Sequence, residues 1–164
     1  MNSVAYLSLG SNVGDREKHL RAAITALEQE GRAISVSSLY ETEPVDFTAQ
    51  PWFLNCALAL ETKKTPEALM AAVLRIEHEM GRQRVQDKGP RIIDIDILLY
   101  GDVIVNSENL TIPHPTMHSR RFVLEPLAEI APGARHPILK QTVAELRDAL
   151  PGDQAVRKLR TGKS

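Results

Sequence analysis

The sequence predicts an α+β fold: a βαββαβ core in which one antiparallel sheet carries both helices on a single face, followed by extra C-terminal helices. Three observations carry this. Runs of β-forming residues stand at 4–9, 33–42, 52–62 and 91–100. Apolar residues at helical spacing fill 20–27 and 69–80, between the first and second runs and between the third and fourth. The second and third runs follow each other with only a loop between, which favours antiparallel pairing over a wholly parallel sheet.

Each element has its own signal. "VAYLSL" (4–9) alternates and stops at the turn residues "GSN". Leu20, Ala23, Ile24 and Leu27 form one stripe of a first helix, with Gly31 placed to end it. "AISVSSLYET" (33–42) and "WFLNCALALET" (52–62) read as an antiparallel pair around a loop with Pro44 and Pro51. Thr65 followed by Pro66 is an N-cap and first-turn signature, so a second helix buries Leu69, Ala72, Val73, Ile76 and Met80 and ends at Gly81. "RIIDIDILLY" (91–100) is the fourth strand, and "GD" turns the chain into a short edge strand, "VIVN". "SRRFVLEPLAEI" and "TVAELRDAL" are two further helices, and the basic tail from Arg157 is expected to fray. This order is the split βαβ, or ferredoxin-like, arrangement, which leaves the second face of the sheet free.

Bulk properties narrow the function. A chain of 164 residues without an obvious seam is expected to be one domain, 1–164. Twenty Lys and Arg against 21 Asp and Glu give no global basic field for nucleic acid or a membrane surface, so any basic site is local. The N-terminus has neither a charged n-region nor a long apolar core, and no later run reaches the ~20 apolar residues of a membrane span, so a cytoplasmic protein is expected. The single cysteine, Cys56, lies in an apolar strand and reads as a core thiol.

The fourth strand holds the chemistry. By alternation, Ile93, Ile95, Ile97 and Leu99 share the helix face, and Asp94, Asp96, Leu98 and Tyr100 the other. The same parity puts Leu54, Cys56, Leu58 and Leu60 against the helices and leaves Phe53 and Asn55 beside the acids. Two close carboxylates need a positive partner, and hard oxygen donors suit Mg²⁺ or Mn²⁺. The alternative is that they only guard the sheet against edge pairing. "GRQRVQDKGPR" (81–91) favours the metal: Arg82, Arg84, Lys88 and Arg91 stand against one acid, Asp87, as phosphoryl chemistry requires. His114, His118, Arg120 and Arg121 follow, and Phe53 and Phe122 are suited to sandwich a flat heterocycle. A non-catalytic module binding nucleotide or RNA through the sheet is the competing reading, although paired acids repel phosphates unless metal is bound.

The blocks "LGSNVGDR", "YETEPV", "QPWFLNCALALET", "DKGPRIIDIDILLYGD" and "IPHPTMHSRRFVLEPLAEIAP" resemble the hydroxymethyl-dihydropterin pyrophosphokinases of folate biosynthesis over nearly the whole chain. The resemblance implies a monomeric ferredoxin-like enzyme that moves pyrophosphate from ATP to the hydroxymethyl group of a reduced pterin and releases AMP. It assigns two Mg²⁺ ions to Asp94 and Asp96. Arg82, Arg84, Lys88 and Arg91 become a phosphate clamp, and His114, Arg120, Glu77 and the strand at Ile97 further ATP contacts. Phe53 and Phe122 stack on the pterin, and Asn55 reads its edge with backbone near Thr42 and Val45. The chain departs from the family pattern in a basic loop without tryptophan, at Pro115 and at Leu74.

Overall fold

Strand β1 (Ser3–Ser11) runs antiparallel between β4 (Phe53–Thr62) and β5 (Asp94–Tyr100). This comes from a computed structural model that describes residues 2–43, 51–81, 92–152 and 155–159. On the far side of β4 lie β2 (Arg32–Val36) and β3 (Tyr40–Thr42), and β8 (Val156–Lys158) pairs with β3. The sheet order is β5, β1, β4, β3, β8, with β2 also on β4. Every pairing among the described residues is antiparallel. β1 outruns the predicted 4–9: Gly10 stays in the ladder, opposite both Asn55 and Asp94.

Helices α1 (Arg16–Leu27) and α2 (Pro66–Glu79) cover one face. Asp15 caps α1 by accepting from Lys18 N. Thr65 caps α2 by accepting from Ala68 N at 3.1 Å, and Gly81, with φ +87°, follows the other end. Gly31 does not cap α1, which ends four residues earlier. A Cβ there would stand 2.3 Å from Glu61 O, so the glycine admits a close approach to β4. Leu7, Leu9, Leu20, Leu58, Leu69 and Ile76 are fully buried beneath these helices, each contributing about 1.5–3 kcal/mol of burial.

Five further expectations change. The strand expected over 33–42 breaks at Ser37, whose Oγ accepts from Ala57 N at 2.8 Å, so a hydroxyl takes over a rung of the ladder. The second face is not free: α3 (Arg121–Ile130), α4 (Val143–Asp148) and a 3-10 turn (Met117–Ser119) pack on it through Met117, Leu124, Leu127 and Val143, over Ala57 and Leu98. Strand parity fails after Ile97. Leu7 pairs with Ile97 and Tyr6 with Leu99, so Leu98 is an inserted residue; Leu98 and Leu99 both join the second cluster and Tyr100 returns to the first. The tail is not frayed at its start, since Arg157 and Lys158 form β8 and Leu159 N donates to Leu39 O. "VIVN" contributes only β6 (Val105–Asn106), paired with β7 (Thr111–Ile112) in a separate small sheet.

Candidate active site

The bulge lies beyond the acids, so the parity that matters holds. Asp94 and Asp96 face away from α1 and α2, while Ile93, Ile95 and Ile97 pack beneath them. The ladder then sets a row across three strands: Asp94 opposite Gly10, and Gly10 opposite Asn55. Strand spacing puts Asn55 roughly 10 Å from Asp94 across the sheet. Gly10 keeps this row passable, because a Cβ there would stand 2.5 Å from Asn55 Nδ2 and 3.4 Å from Phe53 Cδ1. A glycine inside a strand signals close approach, and that was the clue available in "LGSN".

Asn55 is buried and held. Thr42 Oγ1 donates to Asn55 Oδ1 at 2.5 Å, and Asn55 Nδ2 donates to Leu9 O at 3.4 Å. The expectation gave backbone near Thr42 a role; the structure adds its hydroxyl, which orients the amide. Phe53, directly opposite Thr42, is half-buried at the start of β4. Phe122 is half-buried in the first turn of α3, with the Arg120 guanidinium 5.4 Å from its ring centre.

On the acid side, His114 N donates to Leu98 O, which brings the ring beside the pair, with Nε2 3.9 Å from Asp96 Oδ1. Burial first and Arg120 second lower the His114 pKa, against an opposing pull from Asp94. The neutral ring accepts from Thr116 N through Nδ1 at 3.2 Å. Glu77 of α2 is buried, 4% exposed, and its Oε2 accepts from Ile95 N at 2.8 Å. That bond anchors the residue between the two acids. Ile97 is 4% exposed with its side chain in the helix-side core, so that side chain does not reach the face that carries the acids. Arg82, Arg84, Lys88, Arg91 and Val45 lie outside the described residues.

Among the described residues no three His, Cys, Asp or Glu side chains gather as a metal-binding group. The donors present still suit Mg²⁺, which takes one or two protein carboxylates and completes its shell with water and phosphate. Asp96 supports this, since its side chain is 34% exposed on the uncovered part of the sheet.

One carboxylate and an oriented amide in one row of an antiparallel sheet, with a second carboxylate two residues along the strand and Phe53 beside the row, give this small α+β fold a surface suited to a metal-bound anion next to a flat ring. The family follows from comparison. A family model described as 7,8-dihydro-6-hydroxymethylpterin-pyrophosphokinase (HPPK) matches residues 6–132, and the chain belongs to that family. It is 47% identical over 132 residues to the 2-amino-4-hydroxy-6-hydroxymethyldihydropteridine pyrophosphokinase of Bacillus subtilis, covering 79% of each chain. It is 39% identical over 145 residues to the Aquifex aeolicus protein of the same name, covering 88% of this chain and 91% of that one. It is also 46% identical over 158 residues to the folic acid synthesis protein fol1 of Schizosaccharomyces pombe, covering 95% of this chain but only 21% of that protein. The crystal structure of Plasmodium falciparum HPPK-DHPS wild type with pterin and p-hydroxybenzoate shares the fold. Its TM-score is 0.72 at 19% identity, over 90% of this chain and 42% of that one. No helix among the described residues is long and apolar enough to cross a membrane.

Proposed function

We propose that this protein transfers pyrophosphate from ATP to the hydroxymethyl group of 6-hydroxymethyl-7,8-dihydropterin, releasing AMP, through one pyrophosphokinase domain over residues 1–164, and that it works as a monomer in the cytoplasm without nucleic-acid or membrane partners. The observation that carries the proposal is the row Asp94, Gly10, Asn55, which supports the reading because it offers an end suited to a cation and an end suited to a heterocycle on one surface. Family membership supports the reading. The sheet order, with the two long helices on one face, supports a ferredoxin-like core.

The hydroxymethyl oxygen bonds to the β-phosphorus as the bond from that phosphorus to the oxygen of the α-phosphate breaks; the hydroxyl proton is lost and AMP leaves. Asp94 and Asp96 would hold two Mg²⁺ ions, which would supply charge neutralisation of the triphosphate and alignment of the β-phosphorus. Glu77 fixes the strand between them through Ile95 N. Asn55, oriented by Thr42, reads the polar edge of the pterin with backbone near Val45, and Phe53 and Phe122 take its faces. Arg82, Arg84, Lys88 and Arg91 are assigned the phosphate clamp from their places in the sequence. His114, Arg120 and the backbone at Ile97 complete the ATP side.

Incubation with Mg·ATP and the reduced hydroxymethyl-pterin tests this by product: AMP is expected, and ADP would mean ordinary kinase chemistry. The competing module reading expects Asp94→Ala to strengthen nucleotide binding; the present one expects it to abolish the Mg²⁺-dependent part.

A further inference from the structure

β8, the strand expected to fray, closes on a four-residue node beside the site. Arg157 donates to Glu41 Oε1, and its guanidinium lies 6.0 Å from the centre of the Trp52 ring. Arg16 of α1 donates to Glu41 Oε2 at 3.0 Å and to Trp52 O at 2.9 Å. Glu41 and Trp52 each precede a pterin-side residue, Thr42 and Phe53, and those two face each other across β3 and β4. Arg157 therefore bridges the two strands one residue behind the pair that meets the heterocycle.

The strap is also held along its length. Glu43 N donates to Ala155 O at 3.0 Å, Ala155 N to Glu43 Oε1 at 3.3 Å, and Leu159 N to Leu39 O at 2.8 Å. On the other face, Glu129 of α3 accepts from Tyr40 Oη at 2.7 Å and from Ser38 N and Oγ, with Lys158 Nζ 3.8 Å away. Arg157, then Arg16, holds the Glu41 carboxyl below its ordinary pKa, against burial. Alternation along β3 turns Glu41 to the side opposite Thr42, out of reach of substrate.

We infer that β8 is a positioning element for the pterin half of the site, with Arg157 acting through Glu41 and Trp52 on Thr42, Asn55 and Phe53. The inference rests on the pyrophosphokinase reading. The Arg157 side chain is 68% exposed, and Glu41 keeps Arg16 when it is removed, so Arg157→Ala should fold. The measurement is steady-state AMP formation by the full chain, with both substrates varied. Arg157→Ala should raise the KM for the pterin by about fivefold, the upper end for an exposed ion pair, with the KM for ATP and the melting temperature near wild type. Arg157→Lys should recover part of the loss. In a Thr42→Ala background, Arg157→Ala should add less than about twofold, because the two act in series. An unchanged pterin KM, an equal rise in both KM values, or full additivity with Thr42→Ala overturns the inference while leaving the reaction intact. A wild-type protein that forms no AMP overturns the functional reading, and this one with it.

Discussion

Gly10→Ala perturbs the site without removing a single polar group. The added Cβ would stand 2.5 Å from Asn55 Nδ2, where real Cβ contacts essentially never fall under 3.0 Å, so the amide must retreat by at least the 0.5 Å difference. It cannot do so freely: Thr42 holds Oδ1, Leu9 O faces Nδ2, and the residue is buried. Forcing an extra methyl into such packing costs about 1–3 kcal/mol, which in a chain of this size lowers the melting temperature by roughly 2–4 °C per kcal/mol. The retreat should also misalign the hydrogen bonds proposed between Asn55 and the pterin edge. Two such bonds at about 0.5–1.5 kcal/mol each correspond to pterin affinity weakened roughly 5- to 150-fold. Titration of a pterin analogue by calorimetry, beside Mg·ATP titration and a thermal melt, reads all three. ATP binding should change little. Pterin affinity within twofold of wild type would refute the argument that Gly10 is there to let Asn55 lie over β1.

Asp96→Asn should weaken ATP binding about tenfold or more in Mg²⁺, since it removes one of two anions facing the cation, and should leave Mg²⁺-free binding little changed; isothermal titration with and without EDTA checks both. Glu77→Ala strips Ile95 N of its acceptor, so a loss of about 1–3 kcal/mol is expected by chemical denaturation, with a fall in AMP formation as the acid strand loosens. His136 is buried, and its Nδ1 accepts from Ile138 N at 3.3 Å and Leu139 N at 3.1 Å. Burial first and His118 second lower its pKa below the ordinary 6.5. The folded state therefore resists the proton. Its contribution to stability is complete above pH 6.5 and declines as pH falls below it, by at most about 1.4 kcal/mol per pH unit; in His136→Gln that slope should flatten in acid-side melts. The Cys56 thiol is fully buried, and burial pushes its pKa up to about 12, so Ellman's reagent at pH 8 should label it only after denaturant is added.

Local chemistry made much of this structure legible. Thr65 and Pro66 mark the start of α2 because a cap needs only a side chain and the next three amides, and Gly81 marks its end for the same reason. Alternation placed Leu54, Cys56, Leu58 and Leu60 against the helices and left Asp94, Asp96, Phe53 and Asn55 on the opposite face, since the two-residue period belongs to the strand itself. The cluster of basic residues at 82–91 was visible from composition, but its geometry falls outside the described residues.

What the sequence determined alone was therefore where helices start, which strand residues share a face, and which chemistry that face bears. Tertiary structure decided the rest. The inserted Leu98 turned Tyr100 back toward the helices, because register depends on the partner strand. The helix α3 covered a face expected to be bare, because an apolar stripe does not specify which surface it will bury. Val156–Lys158 became a strand because β3 offers an open edge and Glu41 a charge, both more than a hundred residues earlier in the chain. Contacts over such separations depend on how the whole chain closes, and no local pattern encodes them.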